Sequence, residues 1–283
     1  TFKGSLNQIL YGPPGTGKAY NSINKALEII DSKIDLKQKR SIIKSEYEKF
    51  KKNGQVLFTT FHQSLSYEDF IEGIKPIMID GEVDGNVAYH IEDGVFKQLC
   101  KKADLDPENR YAIFIDEINR GNVSAIFGEL ITLIEQDKRK DASNAMSALL
   151  PYSKNQFSVP QNVDIYGTMN TADKSIALLD IALRRRFNFE PMYPQYNVDG
   201  EVIHHADVLK KLNDYIVKSK GHDFQIGHAY FMGENSDLMT IMNQKVIPLL
   251  MEYFMNDSTE VEQVLKSAGL KIDTNCWPLK VID

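Results

Sequence analysis

Cysteine is scarce in this chain, because only Cys100 and Cys276 occur among 283 residues. They are far apart and lack metal-site spacing, so we expect reduced thiols in a cytoplasm rather than a disulfide framework. No apolar run approaches the ~18–20 residues that a membrane span needs, and we expect no signal peptide. These absences argue against a secreted, disulfide-rich domain and against a membrane protein.

An excess of positive charge is also absent, since 33 Lys and Arg stand against 39 Asp and Glu, a formal net charge of −6. This balance argues against a surface that binds nucleic acid throughout. Segment 31–52 is a local exception, with eight basic and four acidic residues. We interpret it as the solvated face of a helix rather than a binding patch.

Four short apolar runs have the length and composition of buried strands: residues 8–11, 56–61, 111–116 and 163–169. Runs that are hydrophobic on both faces suit a parallel sheet covered by helices. Helical patterns lie between and after them, at 18–30, 36–52, 94–103, 122–137 and 175–184. This alternation predicts an α/β fold, with a hairpin around "SKNQ" leading into the fourth strand.

A domain boundary is predicted near residue 190, where Pro191 and Pro194 interrupt regular structure. Helical patterns without strand signals follow these prolines. We therefore expect a larger α/β domain, residues 1–190, and a smaller helical domain, residues 191–283.

A phosphate-binding pattern, GxxxxGK, spans Gly12–Lys18 between a predicted strand and a predicted helix. In that context backbone N–H groups and a helix N-terminus converge on phosphates, and Lys18 reaches the β- and γ-phosphates. The next residue is ordinarily Ser or Thr, whose hydroxyl binds magnesium, but here it is Ala19. We expect nucleotide binding to survive and hydrolysis to be slowed.

Charged and amide side chains follow the later strands. Asp116 and Glu117 end the third strand, and offer one carboxylate for magnesium and one to orient or deprotonate water. Asn170 ends the fourth strand. Its side-chain amide is predicted either to contact the γ-phosphate or the attacking water, or to make the hydrogen bonds of an ordinary turn. The run Arg184–Arg186 either complements a helix dipole or reaches a neighbouring subunit's γ-phosphate as arginine fingers.

Taken together, four segments closely resemble the AAA+ domain of the McrB family: "GPPGTGK", "FIDEINRGNVSAIFGELITLIE", "GTMNTADKSIALLDIALRRRF" and "IGHAYF". Members of this family are the nucleotide-hydrolysing subunits of restriction systems that cut DNA containing modified cytosine. Segments 61–76 and 150–162 extend the resemblance over nearly the whole chain, and "MNTADKS" departs from the family's MNTADRS only at Lys174. The resemblance implies a P-loop NTPase fold with a parallel-sheet, three-layer α/β core and a C-terminal helical lid.

The resemblance also implies roles for individual residues. Asp116 holds magnesium, Glu117 polarises water, Asn170 is a sensor beside the γ-phosphate, and Asp173 helps to position water. The nucleotide is held by Gly12, Pro13, Pro14, Gly15, Thr16, Gly17, Lys18, Ala19, Tyr20 and His228.

Arginines at subunit interfaces are a further implication of the resemblance. Arg185 and Arg186 are favoured as the residues that act in trans, and Arg120 is a second interface candidate. His228 falls where a lid sensor contacts nucleotide, and a core or helix-capping histidine is an equal alternative.

A hexameric ring with nucleotide at each subunit interface is expected from the family, together with Mg²⁺ and GTP in preference to ATP. The guanine preference rests on the resemblance alone, because the NKxD motif of Ras-like GTPases is absent. An McrC-like endonuclease subunit is the expected partner in DNA defence. DNA recognition is expected in a separate N-terminal domain outside this chain.

Alanines mark departures from the family, at Ala19, at Ala125 where Lys is frequent, and at Ala229 where Ser is frequent. Ala19 favours an alternative function, a nucleotide-gated assembly scaffold with little turnover. A second alternative is an ATP-using, MoxR-like AAA+ chaperone, which shares "DEINR". The segments "MNTADKS" and "IGHAYF" weigh against it.

Overall fold

The computed structural model describes residues 6–78, 87–173, 181–198, 201–233 and 237–282. These residues form two compact units. The first comprises the described parts of 1–10, 19–169 and 175–190, and the second those of 11–18, 170–174 and 191–283. The predicted phosphate loop is thus grouped with the C-terminal part of the chain.

Strands and helices are interspersed along the described residues. The strands are β1 (Asn7–Gly12), β2 (Val56–Thr60), β3 (Glu72–Met78), β4 (Val87–Asp93), β5 (Tyr111–Asp116), β6 (Ala148–Leu149), β7 (Gln156–Phe157), β8 (Val163–Asn170), β9 (Asn188–Pro191), β10 (Asn197–Val198), β11 (Glu201–Val202), β12 (Lys271–Asp273) and β13 (Lys280–Ile282). The α-helices are α1 (Lys18–Ile30), α2 (Arg40–Lys52), α3 (Tyr67–Phe70), α4 (Val95–Leu105), α5 (Val123–Phe127), α6 (Leu130–Leu133), α7 (Ile181–Arg184), α8 (Ala206–Ser219), α9 (Leu238–Ile241), α10 (Ile247–Tyr253) and α11 (Ser258–Ser267). Short 3₁₀ turns span Ile118–Arg120, Gln136–Lys138, His222–Phe224 and His228–Phe231, and a π-helical turn spans Met242–Val246.

A five-stranded parallel sheet has the strand order β2-β5-β8-β1-β9. From β1 the chain moves to β2 at one edge, whereas β8 leads to β9 on the other side of β1. The direction of the connections therefore reverses between the neighbours β8 and β1. In open α/β sheets ligands bind at the carboxyl ends of strands at such a point.

Both faces of the inner strand β5, which lies between β2 and β8, are buried. Ala112 and Phe114 pack on one face, in a cluster with residues of α1 and α2 such as Leu27 and Tyr47. Side chains alternate along a strand, so Ile113, which is fully buried, packs on the opposite face. A sheet covered on both faces is the three-layer core predicted from the sequence.

The second unit has its own apolar core, built by α8, α10, α11 and the segment around Phe231. Two small antiparallel ribbons, β10–β11 and β12–β13, accompany these helices. The sequence predicted helices here but not these strands. Among the described residues, no helix is long and apolar enough to cross a membrane.

The predicted strands are confirmed as β1, β2, β5 and β8, and the predicted hairpin as β6–β7. The prediction of one continuous helix over 122–137 is wrong. The chain breaks it into α5, α6 and a 3₁₀ turn, with Gly128 at a positive φ of 51° after α5. Of the predicted helix 175–184 only α7 is described, and the remainder lies outside the described residues. Strand β9 and the hairpin β3–β4 were not predicted.

Candidate nucleotide site

The phosphate loop is a tight turn between β1 and α1. Gly15 and Gly17 have φ values of 75° and 81°, a left-handed conformation that glycine adopts without strain. The Thr16 hydroxyl donates to the Pro13 carbonyl at 3.0 Å, and Lys18 Nζ donates to the Gly12 and Pro13 carbonyls at 2.9 and 2.8 Å. Because α1 begins at Lys18, the loop leads directly into a helix N-terminus, where backbone N–H groups bind anions.

The segment "IGHAYF" of the second unit contacts this loop directly. Gly227 N donates to the Pro14 carbonyl at 3.1 Å, and Ala229 N donates to the Gly15 carbonyl at 2.9 Å. The approach is so close that a Cβ on Gly15 would lie 2.6 Å from Cε2 of Tyr230. The lid segment predicted to sense nucleotide therefore lies on the loop predicted to bind it.

His228 is buried within this segment, and its Nδ1 accepts a hydrogen bond of 3.1 Å from Gln195 N. An accepting ring nitrogen carries no proton, so the proton lies on Nε2. Burial also lowers the pKa of His228 from its ordinary 6.5. The imidazole is therefore neutral near pH 7, and can offer a sensor's hydrogen bond but not a positive charge.

The residues after β8 are tied to the same loop. Thr171 N donates to the Gly12 carbonyl at 3.1 Å, and the Thr171 hydroxyl donates to the Asp223 carbonyl at 3.4 Å. Asn170 and Asp173, both half-buried, flank this threonine. Lys174, the departure from the family signature, lies outside the described residues.

In the first unit, Asp116 and Glu117 are joined through Thr168, which the sequence analysis missed. The Thr168 hydroxyl donates to Asp116 Oδ1 at 2.5 Å and accepts from Glu117 N at 3.2 Å. It thereby orients the Asp116 carboxylate and holds the backbone at Glu117. The available signal was the spacing in "GTMN", because Thr168 and Asn170 are two residues apart and so share one face of β8.

Glu117 adopts a left-handed backbone conformation, with φ 51° and ψ 47°. This conformation is uncommon for a residue with a side chain, and such strain concentrates at functional sites. Arg120 Nε lies 3.5 Å from Glu117 Oε2, so Arg120 makes an ion pair within its own chain.

The arginine run also lies in the first unit, and its members have different surroundings. The Arg184 guanidinium lies 5.7 Å from the Phe189 ring centroid, and Arg185 is exposed. Arg186 Nη2 contacts Glu135 Oε1 at 2.9 Å.

Ala19 and Tyr20 are exposed in the first turn of α1. The Arg40 guanidinium lies 3.6 Å above the Tyr20 ring, and Arg40 Nη2 donates to the Tyr20 carbonyl at 2.9 Å. Ala19 supplies no oxygen ligand, so Asp116 is the predicted direct protein ligand for magnesium.

These features define the class of protein, a P-loop α/β protein whose glycine-rich turn and helix N-terminus suit a phosphate group. Comparison with known families is more specific. Residues 37–187 match the AAA domain (dynein-related subfamily), and residues 204–262 match the McrB alpha-helical lid domain. The chain belongs to the McrB family of AAA proteins, which confirms the resemblance and the fold class predicted from the sequence.

Two curated relatives are subunits or components of restriction enzymes. The chain is 37% identical over 278 residues to the type IV methyl-directed restriction enzyme EcoKMcrB subunit of Escherichia coli (strain K12), covering 89% of this chain and 54% of that protein. It is 25% identical over 213 residues to the type II restriction enzyme BsuMI component YdiS of Bacillus subtilis (strain 168), covering 65% and 56%. The chain thus spans about half the length of the curated relatives it matches.

Proposed function

We propose that this chain is the Mg²⁺-dependent nucleoside triphosphatase of an McrBC-like restriction complex, with GTP as its preferred nucleotide. The observation that carries the proposal is the phosphate loop at β1–α1, with the lid segment hydrogen-bonded to it at Pro14 and Gly15. Membership of the McrB family and the two restriction-enzyme relatives support the nucleotide chemistry and the role in DNA defence.

The residues predicted to bind nucleotide and Mg²⁺ and to act on water have separate tasks in this proposal. The loop N–H groups and Lys18 bind the triphosphate, and Asp116, oriented by Thr168, holds Mg²⁺. A bound Mg²⁺ neutralises charge that develops on the phosphates. Glu117 orients and deprotonates the attacking water, and Asn170 and Asp173 position that water and the γ-phosphate.

Assembly completes the site. We infer a hexameric ring in which the exposed Arg185 lies at a subunit interface, where an arginine finger acts on the neighbour's nucleotide. An McrC-like endonuclease subunit binds this ring, and a separate N-terminal domain recognises modified DNA. The guanine preference follows from family membership.

Phosphate release with GTP and with ATP, at matched Mg²⁺, tests the proposal. We expect Glu117→Gln to lower kcat by about 10²–10⁴-fold, because it removes the general base. Nucleotide affinity should be retained, because the loop is untouched. Glu108→Gln, an exposed acid outside the site, is the matched control.

Displacement of labelled guanine nucleotide by GTP but not by ATP supports the predicted preference for guanine. Mg²⁺-independent turnover, or full turnover by Glu117→Gln, contradicts the proposal.

Ala19→Thr is expected to raise turnover by about 10–1000-fold, since it restores an oxygen ligand for Mg²⁺ next to Lys18. The position is exposed in the first turn of α1, so the larger side chain has room. Ala19→Val, which has nearly the same shape without the hydroxyl, is the control. No gain in turnover would show that Ala19 does not limit the rate. Nucleotide-dependent assembly without turnover in either form would favour the scaffold function.

A further inference from the structure

The arginine run is joined to a turn of the first unit that is distant in sequence by a partly buried ion pair. Arg186 Nη2 lies 2.9 Å from Glu135 Oε1, and these side chains are only 8% and 32% exposed. Glu135 ends the McrB-like segment that begins at Phe114, and no role follows for it from the nucleotide chemistry above. The pair connects residues 51 positions apart in the sequence.

Asn7 of β1 holds the backbone of the same two segments. Its Nδ2 donates to the Ile134 carbonyl at 2.8 Å and to the Arg186 carbonyl at 2.9 Å. The amide orientation is determined by Arg139, whose Nη2 donates to Asn7 Oδ1 at 2.8 Å. An arginine only donates hydrogen bonds, so the amide oxygen must point towards it and the NH₂ group towards the carbonyls.

Arg139 is itself fully buried and forms the base of this arrangement. It donates to the carbonyls of Ile134, Pro160 and Val163 at 2.9, 3.0 and 2.9 Å. Arg186 is thus held twice within its own subunit, by its side chain through Glu135 and by its carbonyl through Asn7.

Arg185, the next residue along the run, is exposed. Both arginines border a polar cavity of about 410 Å³ in the first unit, together with Asn7, Glu135 and Asp137. A guanidinium that acts on a neighbouring subunit must project from the surface. Arg185 meets that requirement as it stands, whereas Arg186 is largely buried and would first have to leave the Glu135 carboxylate.

We propose that Glu135, supported by Asn7 and Arg139, is a positioning residue that anchors the arginine run through Arg186, so that Arg185 projects towards the nucleotide of a second copy of this chain. The inference rests on the proposed function, because it assigns separate tasks to two residues of that site. Arg185 is the catalytic residue of the pair, and Arg186 is its anchor.

Charge reversal tests the anchor. We expect Glu135→Arg and Arg186→Glu each to lower kcat by about 10-fold or more, and the double variant Glu135→Arg/Arg186→Glu to recover most of that loss, as coupled partners do. Tm should fall in each single variant and recover in the double variant. Asp137→Asn is the control, because Asp137 borders the same cavity but bonds to Lys138 and Asn144.

Turnover measured after two variants are mixed distinguishes loss of the anchor from a general loss of structure, because mixing would not restore turnover to an unfolded subunit. Arg185→Ala should lower kcat by about 10³-fold, the contribution of an arginine finger, with nucleotide affinity unchanged. Glu135→Gln should behave like a weaker Arg185→Ala. Both variants should regain turnover when they are mixed with Glu117→Gln subunits, since the mixed interfaces combine an intact Glu117 with a positioned Arg185.

Two results would contradict the proposal that Glu135 anchors the arginine run through Arg186. In the first, the double variant recovers Tm but stays as slow as Arg186→Glu, which would make Arg186 the finger. In the second, Tm does not recover, which would mean that the pair anchors nothing. Absence of hydrolysis in the wild type and in Ala19→Thr is different, because it contradicts the proposed function while the Tm comparison still tests the anchor.

Discussion

Gly227→Ala is expected to weaken nucleotide binding by about 10–100-fold, through the loss of two backbone hydrogen bonds worth ~0.5–1.5 kcal/mol each. The backbone conformation of Gly227, with φ −70° and ψ 151°, is open to any residue, so glycine is needed here only for space. A Cβ at this position would lie 2.0 Å from the Gly15 carbonyl carbon and 2.4 Å from the Pro14 carbonyl oxygen. These are backbone atoms of the phosphate loop, so either the loop or the lid segment must move.

Titration with a fluorescent nucleotide measures this effect, and thermal unfolding checks that the second unit stays folded. Gly221→Ala is the matched control, because Gly221 has a positive φ of 99° but nothing within 4 Å of an added Cβ. It should cost some stability and leave nucleotide affinity unchanged. Unaltered affinity in Gly227→Ala would mean that binding does not need the contact between lid segment and loop.

The parallel strands were predictable because their signal is local. β5 and β8 are buried on both faces, so they stand out as mainly apolar runs, although β8 also contains the buried Asp164. β9 carries exposed residues along "NFEP" and belongs to the sheet only through tertiary pairing. The β3–β4 hairpin was missed for a similar reason. It is a separate two-stranded ribbon with exposed apolar side chains such as Ile74 and Tyr89, and Pro76 interrupts its strand pattern.

The residues of the candidate site also differ in whether a local pattern predicts them. Residues carried by a short motif, such as Lys18 and Asp116, could be assigned because the motif specifies both the residue type and its structural context. Thr168 acts on Asp116 from 52 positions away, and Asn7 acts on Arg186 from 179 positions away. No local pattern indicates such pairs, because the fold alone brings them together. The residues that orient the chemistry were therefore harder to predict than those that perform it.

A buried ion-pair cluster attaches the β3–β4 hairpin to α4. Lys97 Nζ lies 2.6 Å from Glu72 Oε2 and 2.7 Å from Asp93 Oδ1, and Glu72 is fully buried. Glu72 also accepts from Tyr152 N and Ser153 N at 3.1 and 2.9 Å. Burial raises the pKa of Glu72, but the hydrogen bonds from Lys97 and Ser153 outweigh it, so the pKa lies below its ordinary 4.5. The stability that this carboxylate contributes is therefore fully present above pH 4.5 and lost as the pH falls through the lowered pKa.

Lys97→Met is expected to lower the free energy of unfolding by about 3–5 kcal/mol at pH 7, because it leaves the buried Glu72 carboxylate without its cation. The two N–H donors from Tyr152 and Ser153 remain, but they cannot replace a positive charge. Lys101→Met is the matched control on the same helix, since Lys101 also pairs with Asp93 but is 57% exposed, and its loss should cost about 1 kcal/mol or less. Denaturant unfolding measures both variants. The double variant Lys97→Met/Glu72→Gln should recover part of the loss, because it removes the unpaired charge. If Lys97→Met costs no more than Lys101→Met, the cluster does not stabilise the hairpin.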